Sequence, residues 1–175
     1  METGVHSNLE GDIIHTHPIY LNTILCSKEA EDIINSLFED FDYEFIPYST
    51  PGVDLTNTIG SYRQSQIYFL ENHGLIVCSS SLSDAYDMTK YINEESKRWL
   101  GENSSSFYEF EGPCRHPQDG YIFPDAVALS DENMAVNYYM INSINNSKLT
   151  PKFLTDEEIN KIRNMGSEKY RTQLV

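Results

Sequence analysis

The chain has 175 residues, with 12 Lys and Arg against 27 Asp and Glu, a formal net charge of −15. That balance argues against nucleic acid and against anionic membrane surfaces as partners, because both carry the same sign of charge. A composition 39% hydrophobic and 22% charged is that of a globular protein, and the length suits one domain that buries about 70% of its unfolded surface.

No apolar run approaches the length of a membrane span, and the first residues lack the basic and apolar regions of a signal peptide. The three cysteines, Cys26, Cys78 and Cys114, have no metal-type spacing and read as free thiols, so a cytoplasmic location is expected. An anionic substrate would then need a local positive partner: a metal, a helix N-terminus or a few selected basic groups.

In chain order, Asp12 to His17 reads as a short strand entered from a Gly-Asp turn. Pro18 suits the first turn of a short helix over Ile19 to Cys26. The run SKEAEDIINSLFEDF places Ala30, Ile33, Ile34, Leu37 and Phe38 at helical spacing, with acids in the first turn. Tyr43 to Tyr48 is a strand in composition, and STPGVDLTNTIGSY gives a turn followed by a helix of two or three turns. Gln66 to Leu70 and Leu75 to Cys78 are β-prone runs joined through Glu71, Asn72, His73 and Gly74.

Ser83 is placed to cap the next helix, SDAYDMTKYINEESKRWL, whose apolar stripe is Ala85, Met88, Ile92 and Trp99. After the loop GENSSS and the Gly/Pro-rich connection EGPCRHPQDG, the tract YIFPDAVAL reads as a short strand. Helical stretches follow near 131–144 and 155–165. Strands separated by helices make this a mixed α/β chain.

Two of the five histidines stand one residue apart in DIIHTHPIY. On a strand, side chains alternate faces, so His15 and His17 project to the same side and can both reach one metal ion. An H-x-H on a strand is also compatible with a solvated or hydrogen-bonded pair. His73, at a Gly-marked turn after an apolar strand, is a third candidate, with backbone capping as its plainer use. Three neutral imidazoles leave an open coordination position on zinc.

Three motifs together, E-T-x-x-H (Glu2, Thr3, His6), H-T-H-P (His15 to Pro18) and N-H-G-L (Asn72 to Leu75), resemble the class II (metal-dependent) sugar-phosphate aldolase and adducin family. The tract IPYSTPG resembles that family's link from a strand into a helix, and GYIFPDAVAL and MGSEKYR look like the tail of a bacterial subgroup. The resemblance is firm over residues 1–100 and looser from 120 onward. It implies a three-layer α/β/α domain with a central, mostly antiparallel sheet, in which residues 1–100 form the metal-site core and 101–175 a looser C-terminal part.

It also implies a divalent metal, zinc in the usual case, held by His15, His17 and His73, with Glu2 as the catalytic carboxylate. The implied activity is retro-aldol cleavage of a phosphorylated ketose or related hydroxy-carbonyl sugar through a metal-stabilised enediolate. Dehydration, epimerisation or decarboxylation of the same class of compound stays open, as does an inactive or adducin-like interaction module. Partners implied are a small sugar phosphate and further copies of the chain, with tetramers common in the family.

METGVH stands where family members have a substantial segment upstream, with the glycine-rich loops that cradle phosphate. An N-terminally truncated member with a sheet edge to be covered by an assembly partner is therefore expected. The helix start after Thr50, Pro51 and Gly52 is a candidate anion contact. Tyr48 and Tyr170 are candidates, by placement, for the family's acid-donating tyrosine. His6 is expected to pack or hydrogen-bond locally, and His116 to lie at the surface.

Overall fold

The computed structural model describes residues 3–62, 64–110, 120–127 and 131–166. It opens with a short helix α1 (Thr3–Ser7), then strand β1 (Asp12–Thr16), and helices α2 (Ile19–Leu25) and α3 (Ala30–Phe38). Strand β2 (Tyr43–Ile46), helix α4 (Val53–Ile59), and strands β3 (Ile67–Leu70) and β4 (Gly74–Ser79) follow. The long α5 (Leu82–Asn103) leads to α6 (Pro124–Val127), α7 (Asp131–Asn146) and α8 (Asp156–Asn164).

The four strands form one sheet in the order β1-β4-β3-β2. β4 pairs antiparallel with both β1 and β3, and only β2 runs parallel to its neighbour β3. The sheet is thus mostly antiparallel, as expected. β3 and β4 are buried nearly throughout, which explains their unbroken apolar sequence: both faces are covered.

Alternation along the strands splits the core in two. Ile67, Phe69, Leu75 and Val77 face a layer made by Leu21, Ile24 and Leu25 of α2, Ile33, Ile34 and Phe38 of α3, and Ala85, Ile92 and Leu100 of α5. Tyr68, Leu70, Ile76 and Cys78 face the other way, against Val5, Leu9, Leu55 and Ile59 from α1, its following loop, and α4. This is a three-layer α/β/α arrangement. Phe38 stacks on Phe69 with centroids 5.3 Å apart; burying side chains of this size contributes about 1.5–3 kcal/mol each.

Beyond α5 the chain packs on the outer side of α2. Ile122, Phe123 and Ala126 join Tyr139, Met140, Ile141 and Ile144 of α7 around Cys26 at the end of α2. Residues 150–152 are pinned there by Lys28 N donating to Thr150 O (2.9 Å) and Lys152 N to Cys26 O (2.8 Å). α8 begins with a capping box: Thr155 N donates to Glu158 Oε2 (2.6 Å) and Glu158 N to Thr155 Oγ1 (3.3 Å).

Two elements differ from expectation. The cap of α5 is Ser81, not Ser83; its hydroxyl accepts from Asp84 N, and the helix continues to Asn103. Ser81 has the extended backbone a cap requires, with φ −145° and ψ 133°, whereas Ser83 already lies within the helix. The tract YIFPDAVAL is not a strand: its described residues turn into α6 at Pro124. Proline presets a helical φ and has no N–H for a ladder, so it opens a helix more readily than it extends a sheet. In line with the sequence, among the described residues no helix is long and apolar enough to cross a membrane.

Candidate metal centre

The register of the sheet builds the site. Thr16, the last residue of β1, pairs with Leu75 near the start of β4. The antiparallel neighbour therefore brings the turn before β4, and with it His73, alongside the end of β1. His15 sits on the strand opposite Ile76, and His17 follows immediately, before Pro18 turns the chain into α2.

The three imidazoles meet. Ring centroids are 5.2 Å apart for His15–His17 and for His15–His73, and 4.9 Å for His17–His73. One nitrogen from each ring lies within 4.8 Å of the others. His73 is buried, while His15 and His17 are half-buried, so the cluster has a closed floor and an accessible side.

The turn that carries His73 is held from several directions. Asn72 adopts the left-handed conformation, with φ 53°, which asparagine tolerates better than most residues. Its backbone N–H donates to Leu25 O (3.1 Å), and His73 N–H to Leu70 O (3.1 Å). The Asn72 Nδ2 group donates to Ile122 O and to Lys152 O, both at 2.7 Å. Asn22 Nδ2, from buried α2, donates to His73 O at 2.8 Å. Beside the turn, Glu71 Oε2 accepts from Tyr48 N (3.0 Å) and Oε1 pairs with Lys152 Nζ (2.5 Å). Complete burial pushes the neighbouring Cys26 thiol far above its ordinary range, with the Glu71 charge adding to the effect.

His17 has a partner that the sequence reading assigns no role. Its Nδ1 is 2.6 Å from Asp125 Oδ2, a carboxylate in the first turn of α6. A carboxylate only accepts, so Nδ1 carries the proton and Nε2 is left as the donor nitrogen. The signal in the sequence is faint: one acid following a proline in an apolar tract 108 positions away. Asn22, which steadies the turn from behind, is equally silent in the sequence.

The donor set fits a divalent ion. Three imidazoles from two adjacent strand ends match the histidine-rich set that leaves zinc an open position. The carboxylate on His17 is the kind of partner that metal-bound histidines use. His6 is exposed on α1 and does not join the cluster.

Tyr48 packs against Val127, Leu154 and Ile162, and burial raises its phenol well above the ordinary value. It lines a hollow with Asp54, Glu158 and Lys161 to which none of the three histidines contributes. Thr50 and Asp54, on either side of the helix start at Gly52, line that hollow. Glu2, His116 and Tyr170, together with Cys114, lie outside the described residues.

The model of the class II aldolase and adducin N-terminal domain matches residues 2–100. The chain belongs to the class II aldolase and adducin family. The match contains all three clustered histidines and Glu2, while Asp125 falls beyond it. Among solved structures, the chain is similar to the N-terminal class II aldolase domain of a conserved protein from Thermoplasma acidophilum, with a TM-score of 0.50 and 22% identity. That likeness covers 57% of this chain and 47% of the other, so it speaks for the class II aldolase fold. No curated protein matches the chain.

Proposed function

We propose that the chain is a divalent-metal-dependent lyase that performs retro-aldol cleavage of a phosphorylated ketose or a related hydroxy-carbonyl sugar. The observation that carries this reading is the convergence of His15, His17 and His73 in a chain of the class II aldolase and adducin family. Zinc or a similar ion bound there supplies Lewis-acid stabilisation of the negative charge that develops on oxygen as the carbon–carbon bond breaks.

The chain's own residues have three tasks. His73, closed off from solvent and fixed through the turn, defines the floor of the site. His15 and His17 present their rings from one strand end and leave the exposed side to substrate. Glu2, which matches the family's catalytic carboxylate, is assigned the proton transfer that accompanies cleavage. That task requires a pKa raised toward neutrality by burial or by neighbouring charge. Assembly into a homo-oligomer belongs to the same proposal.

The test is a product assay of the metal-loaded chain on a panel of ketose phosphates. Release of a two- or three-carbon fragment identifies an aldolase, since a dehydratase or epimerase conserves the carbon skeleton. Glu2→Gln is expected to abolish release while metal stays bound. A folded, metal-loaded chain that turns over no member of the panel overturns the reading in favour of an interaction module.

A further inference from the structure

Asp125 lies outside the stretch 2–100 that the family model matches, yet its carboxylate touches the histidine cluster. We infer that Asp125 is a positioning residue of the metal centre, fixing the His17 ring so that Nε2 is the ligating nitrogen. The inference rests on the metal-binding reading above and deepens it: part of the centre is built by the C-terminal portion of the chain.

The geometry is specific. The Nδ1–Oδ2 separation of 2.6 Å is that of a short charge-assisted hydrogen bond. Holding the proton on Nδ1 leaves Nε2 with its lone pair and raises its basicity as a ligand. Without such a partner, the ring can exchange tautomers and rotate, and the cluster loses one of its three defined donors.

The placement of Asp125 is itself secured. Asn133 Nδ2 donates to the Asp125 carbonyl (3.1 Å). Asn137 spans the same tract, with Nδ2 on Gly120 O (2.9 Å) and Oδ1 accepting from Ile122 N (3.0 Å). Asn72 closes the loop by donating to Ile122 O (2.7 Å), so the turn bearing His73 and the tract bearing Asp125 are tied together. The carboxylate is therefore delivered from a fixed support, and its side chain, 37% exposed, pairs with a His17 side chain 27% exposed. An unsupported pair with that exposure would have little energetic weight; its value here is orientation.

Two measurements on the full chain test this. In the metal-free protein, 15N-edited imidazole spectra read the His17 tautomer: Nδ1–H in the native chain, and a shift toward Nε2–H in Asp125→Ala. Competition for zinc against a chromophoric chelator then reads affinity. Asp125→Ala and the near-isosteric Asp125→Asn should bind zinc about 10- to 100-fold more weakly, and Asp125→Glu should recover part of the loss.

Asp125→Asn carries the test if the alanine variant fails to fold, as judged by near-ultraviolet circular dichroism. A folded variant that binds zinc as tightly as the native chain overturns the inference, with or without a tautomer shift. A native chain that takes up no zinc overturns instead the metal-binding reading on which it rests. In that case the ligating role of Nε2 falls with it; an unchanged tautomer in the variant also overturns the hold of Asp125 on the His17 ring, and a shifted one upholds that hold alone.

Discussion

Gly74 leaves the space that the His17 ring occupies. A Cβ built on Gly74 would stand 2.7 Å from His17 Cδ2 and 2.6 Å from the Thr16 carbonyl oxygen. Both are below any ordinary contact, and one of them is backbone that cannot swing aside. The glycine of N-H-G is therefore needed for the close approach of two strand ends, one of which carries the histidine pair. Its backbone conformation is not the reason, since no left-handed φ occurs there.

Gly74→Ala should thus strike stability and the site together. The expected destabilisation is about 1–3 kcal/mol, the usual range for overpacking. Zinc affinity should fall with it, because the ring that must move is a candidate ligand. Urea unfolding beside zinc competition checks both; a variant with full zinc affinity would show that His17 yields without leaving the cluster.

His73→Ala should empty the centre. Purified native chain analysed by metal mass spectrometry is expected to carry close to one zinc-like ion per chain, and the variant none. In thermal unfolding, zinc at one hundred times its Kd should stabilise the native chain by about 2.7 kcal/mol and leave the variant unmoved. Equal metal content in the two would remove His73 from the ligand set.

Asn72 has a structural task that can be separated from its backbone conformation. Asn72→Gly keeps the left-handed turn but loses the two bonds to Ile122 and Lys152. The buried Ile122 carbonyl left without a partner costs about 1–3 kcal/mol, and the half-buried Lys152 carbonyl less. Asn72→Ala should be worse still, by about 1 kcal/mol or more of backbone strain. Chemical denaturation of the pair separates the two contributions, and equal losses would mean that strain at this turn is negligible.

Burial makes the two described thiols slow to react and sensitive to alkali. It raises Cys78 from 9.0 to about 11, and Cys26 moves further in the same direction. Thiolate is the reactive form, so alkylation at pH 8 should be far slower at both in the native chain than after unfolding, read by peptide mass spectrometry. For stability the sign follows from a folded value above the unfolded one. The contribution is complete below about pH 9 and is lost as pH climbs toward 11. Cys78→Ala should flatten that alkaline decline relative to the native chain; an unchanged slope would assign the decline to other groups.

Much of this molecule is determined locally, and that part is legible in the sequence. Period-two alternation predicts His15 of β1 and His17, just past its end, on one side, and helical spacing of Ile33, Ile34 and Phe38 predicts α3. The run of apolar residues through Ile67–Leu70 and Gly74–Ser79 reflects strands covered on both faces. Each of these follows from backbone geometry acting over a few residues. Motif spacing places His73 with the pair only through the resemblance; the antiparallel register of β1 on β4 is the physical cause.

What only the tertiary structure decided concerns partners far apart in the chain. Neither the choice of Ser81 over Ser83 as a cap nor the turn of Pro124 into α6 follows from residue type alone. Both depend on where the preceding chain is held. Asp125 reaches His17 because three asparagines, Asn72, Asn133 and Asn137, anchor the tract that carries it. Hydrogen bonds of that range leave no periodicity to read, so the carboxylate beside the histidine cluster becomes visible only once the chain has folded around it.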